Sequence, residues 1–125
     1  MGTVKRGEYQ LAEQSGSLGY FAKVEVHVTD GGFANDLSLY FTTQDHPWTA
    51  AISFGVAYAW EHFSRAVRPT TGITVQVVDV QWQPSDTTTA GMAYVSALAL
   101  WNALAFRPRR GALFDIESAS FCFPN

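Results

Sequence analysis

Cysteine is nearly missing from this chain: Cys122 is the only one among 125 residues. That excludes an internal disulfide and a cysteine-built zinc site, and it fits a reducing compartment, with the cytoplasm as the default. The lone thiol is expected to serve as a small buried hydrophobe. Charge is scarce too. Only 15% of residues are charged, the net charge is −3 and the pI is near 5.4, so the basic surplus of a dedicated nucleic-acid binder is absent, although a local basic patch remains compatible. Histidines number three, and His27, His46 and His62 include no i, i+4 pair, so no metal is expected and each is read as a surface or capping residue. There is no Gly-rich phosphate loop, internal repeat, linker or low-complexity segment, and no cofactor is expected. The N-terminus has no apolar run followed by a small-residue cleavage site, so no signal peptide is expected.

What the chain does have is apolar side chains, 47% of the total. One domain of this length buries a sizeable core, yet this fraction exceeds what a lone small domain hides, so a homo-oligomer is expected. The most apolar stretch is Asp86 to Leu104. Asp86 is placed to cap a helix, and Met92, Tyr94, Val95, Leu98, Leu100, Trp101 and Leu104 point in every direction around it. A helix apolar all round must be covered on most sides, and this one is too short and too rich in small residues for a membrane span.

Residues 1–17 lack a sustained period and are read as an N-terminal arm, leaving residues 18–125 as a single domain. Phe21 to Thr29 alternates Ala22, Val24, Val26 and Val28 with Lys23, Glu25, His27 and Thr29, the mark of a half-buried strand. Asp30-Gly31-Gly32 is a turn signal, and Leu37 to Thr42 alternates again, which together predict a hairpin. From Trp48 to Phe63 the period becomes helical, with Pro47 in the first turn and Arg65 and Arg68 at the end. Gly55 costs this helix about 1 kcal/mol relative to Ala, so a close neighbour is expected there, the central helix at Ala93 or Ala97. Phe54, Tyr58 and Trp60 lie partly outside the main apolar stripe and are the candidate subunit interface. Ile73 to Gln83 reads as a strand whose apolar phase shifts near Val77, which calls for a bulge or two covered faces. A basic turn, Arg107 to Gly111, then leads to a last strand, Leu113 to Phe123. The expected order is β-β-α-β-α-β, an α+β two-layer sandwich with helices on one face.

In their order and spacing, Ala51-Ile52-Ser53-Phe54-Gly55-Val56, Val77-Val78-Asp79-Val80, Asp86-Thr87-Thr88, Met92-Ala93-Tyr94 and Ala97 resemble domain IV of translation elongation factor G, also found in ribosome-protection tetracycline-resistance proteins. The resemblance covers nearly the whole chain after the arm. It implies the fold of the second domain of a small-subunit ribosomal protein, including a left-handed βαβ crossover. The departures are as informative. The loop before the Asp86 segment shrinks to Gln83-Pro84-Ser85 without the family's Gly and His, and the Gly-Gly signature after the second strand is lost. No nucleotide-binding domain accompanies these residues, so a translocase is not implied.

The expected function is that of a non-catalytic interaction module that self-associates. The alternative is a ribosome- or RNA-associated accessory factor, with Arg107, Arg109 and Arg110, joined by Lys5 and Arg6, and the hydroxyls of Thr87 and Thr88 at a helix N-terminus as anion- or RNA-binding candidates. A third reading is a small-molecule enzyme of the superfamily, which also holds kinases, dehydratases and a formaldehyde-condensing enzyme. It would use Asp79 or His27 in a pocket of convergent polar groups. No membrane partner is expected.

Overall fold

The structure, a computed structural model, describes residues 3–34, 36–42 and 46–125. Its elements are strands β1 (Lys5–Ser15), β2 (Leu18–Asp30) and β3 (Leu37–Phe41), helix α1 (Thr49–Val67), strand β4 (Ile73–Gln81), helix α2 (Thr89–Ala103), and the short strands β5 (Leu113–Asp115) and β6 (Ser120–Cys122). The first four strands form one sheet in the order β1-β2-β4-β3. Both helices pack on one face of it, α2 over β1 and β2 and α1 towards β3, giving a small α+β sandwich. Among the described residues no helix is long and apolar enough to cross a membrane.

The strongest sequence pattern becomes the centre of the sheet. Ala22, Val24, Val26 and Val28 of β2 are wholly buried, while Lys23, Glu25, His27 and Thr29 lie on the open face. The phase shift in β4 is a bulge. Glu25 faces Asp79 but Val26 faces Val77, so Val78 is the extra residue, and both Val77 and Val80 still turn inward.

The segment read as an arm instead contains β1, an 11-residue edge strand antiparallel to β2; residues 1 and 2 of that segment lie outside the described residues. Its inward positions are Gly7, Tyr9 and Leu11. One of the three has no side chain, so the alternation is hard to see. The turn into β2 is the two-residue loop Gly16-Ser17, with Gly16 at φ 61°, the first position of a II′-type hairpin.

The expected β2–β3 hairpin does not form, because β4 lies between them and β3 pairs with β4 in parallel. The connection after β2 is anchored to the start of β4 by Gly31 N–H to Gly72 O and Ile73 N–H to Asp36 O, both 3.0 Å. This makes β3–α1–β4 a βαβ unit. The expected last strand is likewise two short strands, β5 and β6, paired with each other in a separate hairpin.

Helix α2 starts later than expected. Its cap is Thr88, whose Oγ1 accepts from Gly91 N–H at 2.9 Å, rather than Asp86. Every residue from Gly91 to Ala97 is buried, as are Ala99, Leu100, Trp101 and Ala103. The sheet and α1 cover two sides, and the C-terminal segment covers the remainder, stacking Phe114 and Phe121 on each other at 4.5 Å, with Phe121 5.4 Å from Tyr94. The indole N–H of Trp101 donates to Ala59 O at 3.0 Å across the helix pair. At the crossing of the two helices, a Cβ placed on Gly55 would come within 2.2 Å of Ala93 O. This is the close approach the glycine signalled.

Candidate functional site

Three arginines of the basic turn gather with a fourth from α1 around one cavity. Helix α2 ends in a Schellman motif, with Phe106 N–H donating to Trp101 O at 3.0 Å and Ala105 N–H to Asn102 O at 3.2 Å. Ala105 takes the left-handed position at φ 53°, where glycine is the usual occupant. The chain thereby turns back towards α1, and Phe106 meets Phe63 edge to face with ring centres 5.3 Å apart. Arg107, Arg109 and Arg110 follow and come out beside the last turns of α1, which carry His62, Arg65 and Ala66. The result is an open cavity of about 660 Å³ at the C-terminal ends of both helices, which Asn125 also lines.

Its electrostatics are one-sided. Half of the chain's eight lysines and arginines stand around this opening. The ion pairs among the described residues are Lys23 with Glu8 at 3.9 Å and His27 with Glu25 at 3.4 Å, so none of the four cavity arginines is ion-paired with another described residue. Carbonyl groups at the ends of helices add partial negative charge that keeps cations there favourable.

His62, expected at the surface, is only 9% exposed and lines the cavity. Its ring lies 4.5 Å from Tyr58 and 5.9 Å from Trp101. Arg65 Nη2 stands 3.2 Å from its Nδ1. A guanidinium only donates, so Nδ1 accepts and the ring proton sits on Nε2. That Nε2 is buried and has no hydrogen-bond partner. A buried donor left unpaired costs about 1–3 kcal/mol.

Thr87 and Thr88 stand at the opposite end of α2, about 20 Å away along a 15-residue helix, and their hydroxyls are already engaged. Thr87 Oγ1 donates to Phe21 O at 2.6 Å and accepts from Gln83 N–H at 2.9 Å, and Thr88 is the helix cap. Lys5 and Arg6 precede Gly7, which packs on Ala103, so they lie beside the C-terminal end of α2 without lining the cavity. Asp79 and His27 are both on the open face of the sheet, Asp79 accepting from Gln81 Nε2 at 2.9 Å and His27 beside Glu25. Neither borders the cavity. Among the described residues no group of His, Cys, Asp and Glu side chains could hold a metal.

The aromatic interface candidates separate. Tyr58 and Trp60 are 8% and 4% exposed within the single chain, whereas Phe54 is 54% exposed. The cover that a second subunit was expected to supply comes from the C-terminal segment, where Phe123 meets Tyr58 at 5.4 Å and Phe54 at 5.5 Å. The Tyr58 hydroxyl donates to Pro124 O. Burial pushes the Tyr58 phenol up, the neighbouring Cys122 adds to the rise and Arg65 opposes it, so the proton stays in that bond. Burial, and then the hydrogen bond with Tyr9, also raise the Tyr94 phenol. Cys122 itself is exposed, on the outward side of β6, which corrects its reading as a buried hydrophobe.

Sequence reasoning missed His62, Arg65 and Phe106 as partners of the basic turn. Arg65 and the turn are 42 or more positions apart, and only the crossing of α1 and α2, signalled by Gly55, brings their ends together.

No family model and no curated protein matches the chain. Among solved structures it resembles a protein from Thermus thermophilus with a TM-score of 0.66 and 19% identity, over 82% of this chain. The chain spans 16% of that protein's length. At this identity the likeness is one of fold.

Proposed function

We propose that this chain is a non-catalytic module with the fold of elongation factor G domain IV, which binds RNA phosphates through Arg65, Arg107, Arg109 and Arg110. The observation that carries the reading is the convergence of four arginines, none ion-paired with another described residue, on one cavity in a chain of net charge −3. Gathering half the cations in one place leaves the rest of the surface acidic. A polyanion is therefore repelled everywhere except at the ends of the two helices, and the overall charge orients the molecule. The ordered matches to the domain IV pattern support the same setting. The shortened Gln83-Pro84-Ser85 loop lies on the far side of α2 from the arginines, so its trimming leaves this surface intact.

The test is fluorescence polarisation with labelled single-stranded RNA across a salt series, alongside co-sedimentation with ribosomes. Four phosphate contacts give a slope of log K against log salt of about −3, and Arg109→Ala/Arg110→Ala brings it to about −1.5. A flat salt response, or a double variant with the slope of the parent, would refute the reading.

A further inference from the structure

The cavity has a floor that phosphate binding does not require. A phosphate backbone needs only the cations, yet here the arginines border an open recess lined also by Phe106, Pro108, Ala66 and His62. Its volume of about 660 Å³ falls within the range of small-molecule sites, and such sites combine an apolar wall with a few placed polar groups. The His62 ring, nine-tenths buried, borders the same space with its Nε2 enclosed inside the fold.

Resting on the RNA reading above, we infer that the recess receives one unstacked nucleotide of a single strand, its base inside against Phe106 and its phosphate on the arginines. Two observations converge. Phe106 is half-buried and held by Phe63, so it offers a π surface that is already ordered and costs little to use. Guanidinium groups stack on bases as well as pairing with phosphates, so Arg107, Arg109 and Arg110 serve both halves of a nucleotide. An A-form duplex keeps its bases stacked and offers none to a recess, so the site selects unpaired strands, loops or ends.

The experiment uses the full chain, with a labelled ten-residue oligoadenylate, the same strand paired with oligouridylate, and inorganic polyphosphate as a base-free polyanion. The expected result is tighter binding of the single strand than of the duplex. Phe106→Leu, which keeps apolar volume but removes the π face, weakens the single strand at least about 5-fold with the salt slope unchanged and leaves polyphosphate binding as it was. Circular dichroism of the variant checks its fold. A second readout needs no substitution: the side-chain ¹⁵N signal of His62 Nε2 shifts on adding oligoadenylate and stays put on adding polyphosphate. Equal binding of single strand and duplex, with a parent-like Phe106→Leu and an unmoved His62 signal, overturns the nucleotide recess and leaves the phosphate reading standing. Absence of salt-dependent binding to any of the three overturns both.

Discussion

Replacing Gly55 with alanine tests the contact on which the site's assembly depends. On helix propensity alone the change stabilises α1 by about 1 kcal/mol. The structure opposes this, because the added Cβ would lie 2.2 Å from Ala93 O and 3.0 Å from both Ala93 C and Ser96 Cβ. The nearest obstacle is backbone within a buried helix, so no side chain can swing aside. Restoring an ordinary separation of about 3.5 Å requires α1 and α2 to part by about 1 Å. Overpacking of this kind costs about 1–3 kcal/mol after partial relaxation, and the surrounding Ile52, Val56, Ala59 and Met92 are wholly buried, with no slack to absorb the shift. Net of the propensity gain, we expect Gly55→Ala to destabilise the protein by up to about 2 kcal/mol. With an unfolding entropy of about 2.1 cal/mol/K per residue, each kcal/mol lowers Tm by about 4 °C at this length. Urea unfolding followed by tryptophan fluorescence measures it, since Trp101 and Trp60 are buried beside the contact. Ala57→Gly, at an exposed position of the same helix, calibrates propensity in this host. If Gly55→Ala instead gained stability by the amount that Ala57→Gly lost, the helices would not meet at Gly55 and the argument for the cavity's geometry would collapse with it.

Thr88→Ala removes the acceptor of Gly91 N–H and should cost about 1 kcal/mol, while Asp86→Ala should stay within about 0.5 kcal/mol. The two denaturation midpoints decide which residue caps α2. Because Tyr58 and Tyr94 both have phenols raised above the ordinary value of 10.0, their neutral forms stabilise the fold below that pH, and the stabilisation is lost as pH rises through their folded values. Urea midpoints should therefore fall above about pH 10 together with the late fraction of the tyrosinate absorbance titration. A Tyr94→Phe variant that lost stability over the same range as steeply as the parent would refute the assignment to that residue.

Period and spacing carried much of the fold, and their failures have specific causes. The β2 strand was legible because its buried positions are four consecutive alternating apolar residues. The β4 bulge was legible as a slip of phase at Val77, and Gly55 as a close helix contact. Strand β1 was hidden because Gly7 occupies an inward position where a side chain would have completed the alternation. The β2–β3 hairpin was expected because neighbours in sequence usually pair. Pairing with β4 depends instead on backbone hydrogen bonds between the two loops, which no side-chain pattern encodes. Arg107, Arg109 and Arg110 could be named from sequence as a basic turn, but not the recess beneath them. Its wall draws on His62 and Ala66 from one helix and on residues following another.

Tyr58 and Trp60, read as a subunit surface, are already buried within the single chain, for a reason that bears on the site. A 125-residue chain with 47% apolar residues was expected to hide its surplus between copies, and it hides much of it under its own C-terminal segment. The stretch after α2 carries Phe106, Phe114, Phe121 and Phe123, which cover the helix sides that the sheet and α1 leave open. The same segment has to leave α2 at its C-terminal end, and the left-handed turn at Ala105 sends it across the end of α1. Covering the apolar helix therefore forces residues 106–110 past His62 and Arg65, and the arginines come to rest where the carbonyl ends of two helices already favour cations. The basic recess is thus a consequence of how this chain solves its burial problem. A change that loosens the C-terminal cover, such as loss of the Tyr58 to Pro124 bond, should weaken the proposed RNA binding even though it touches no arginine.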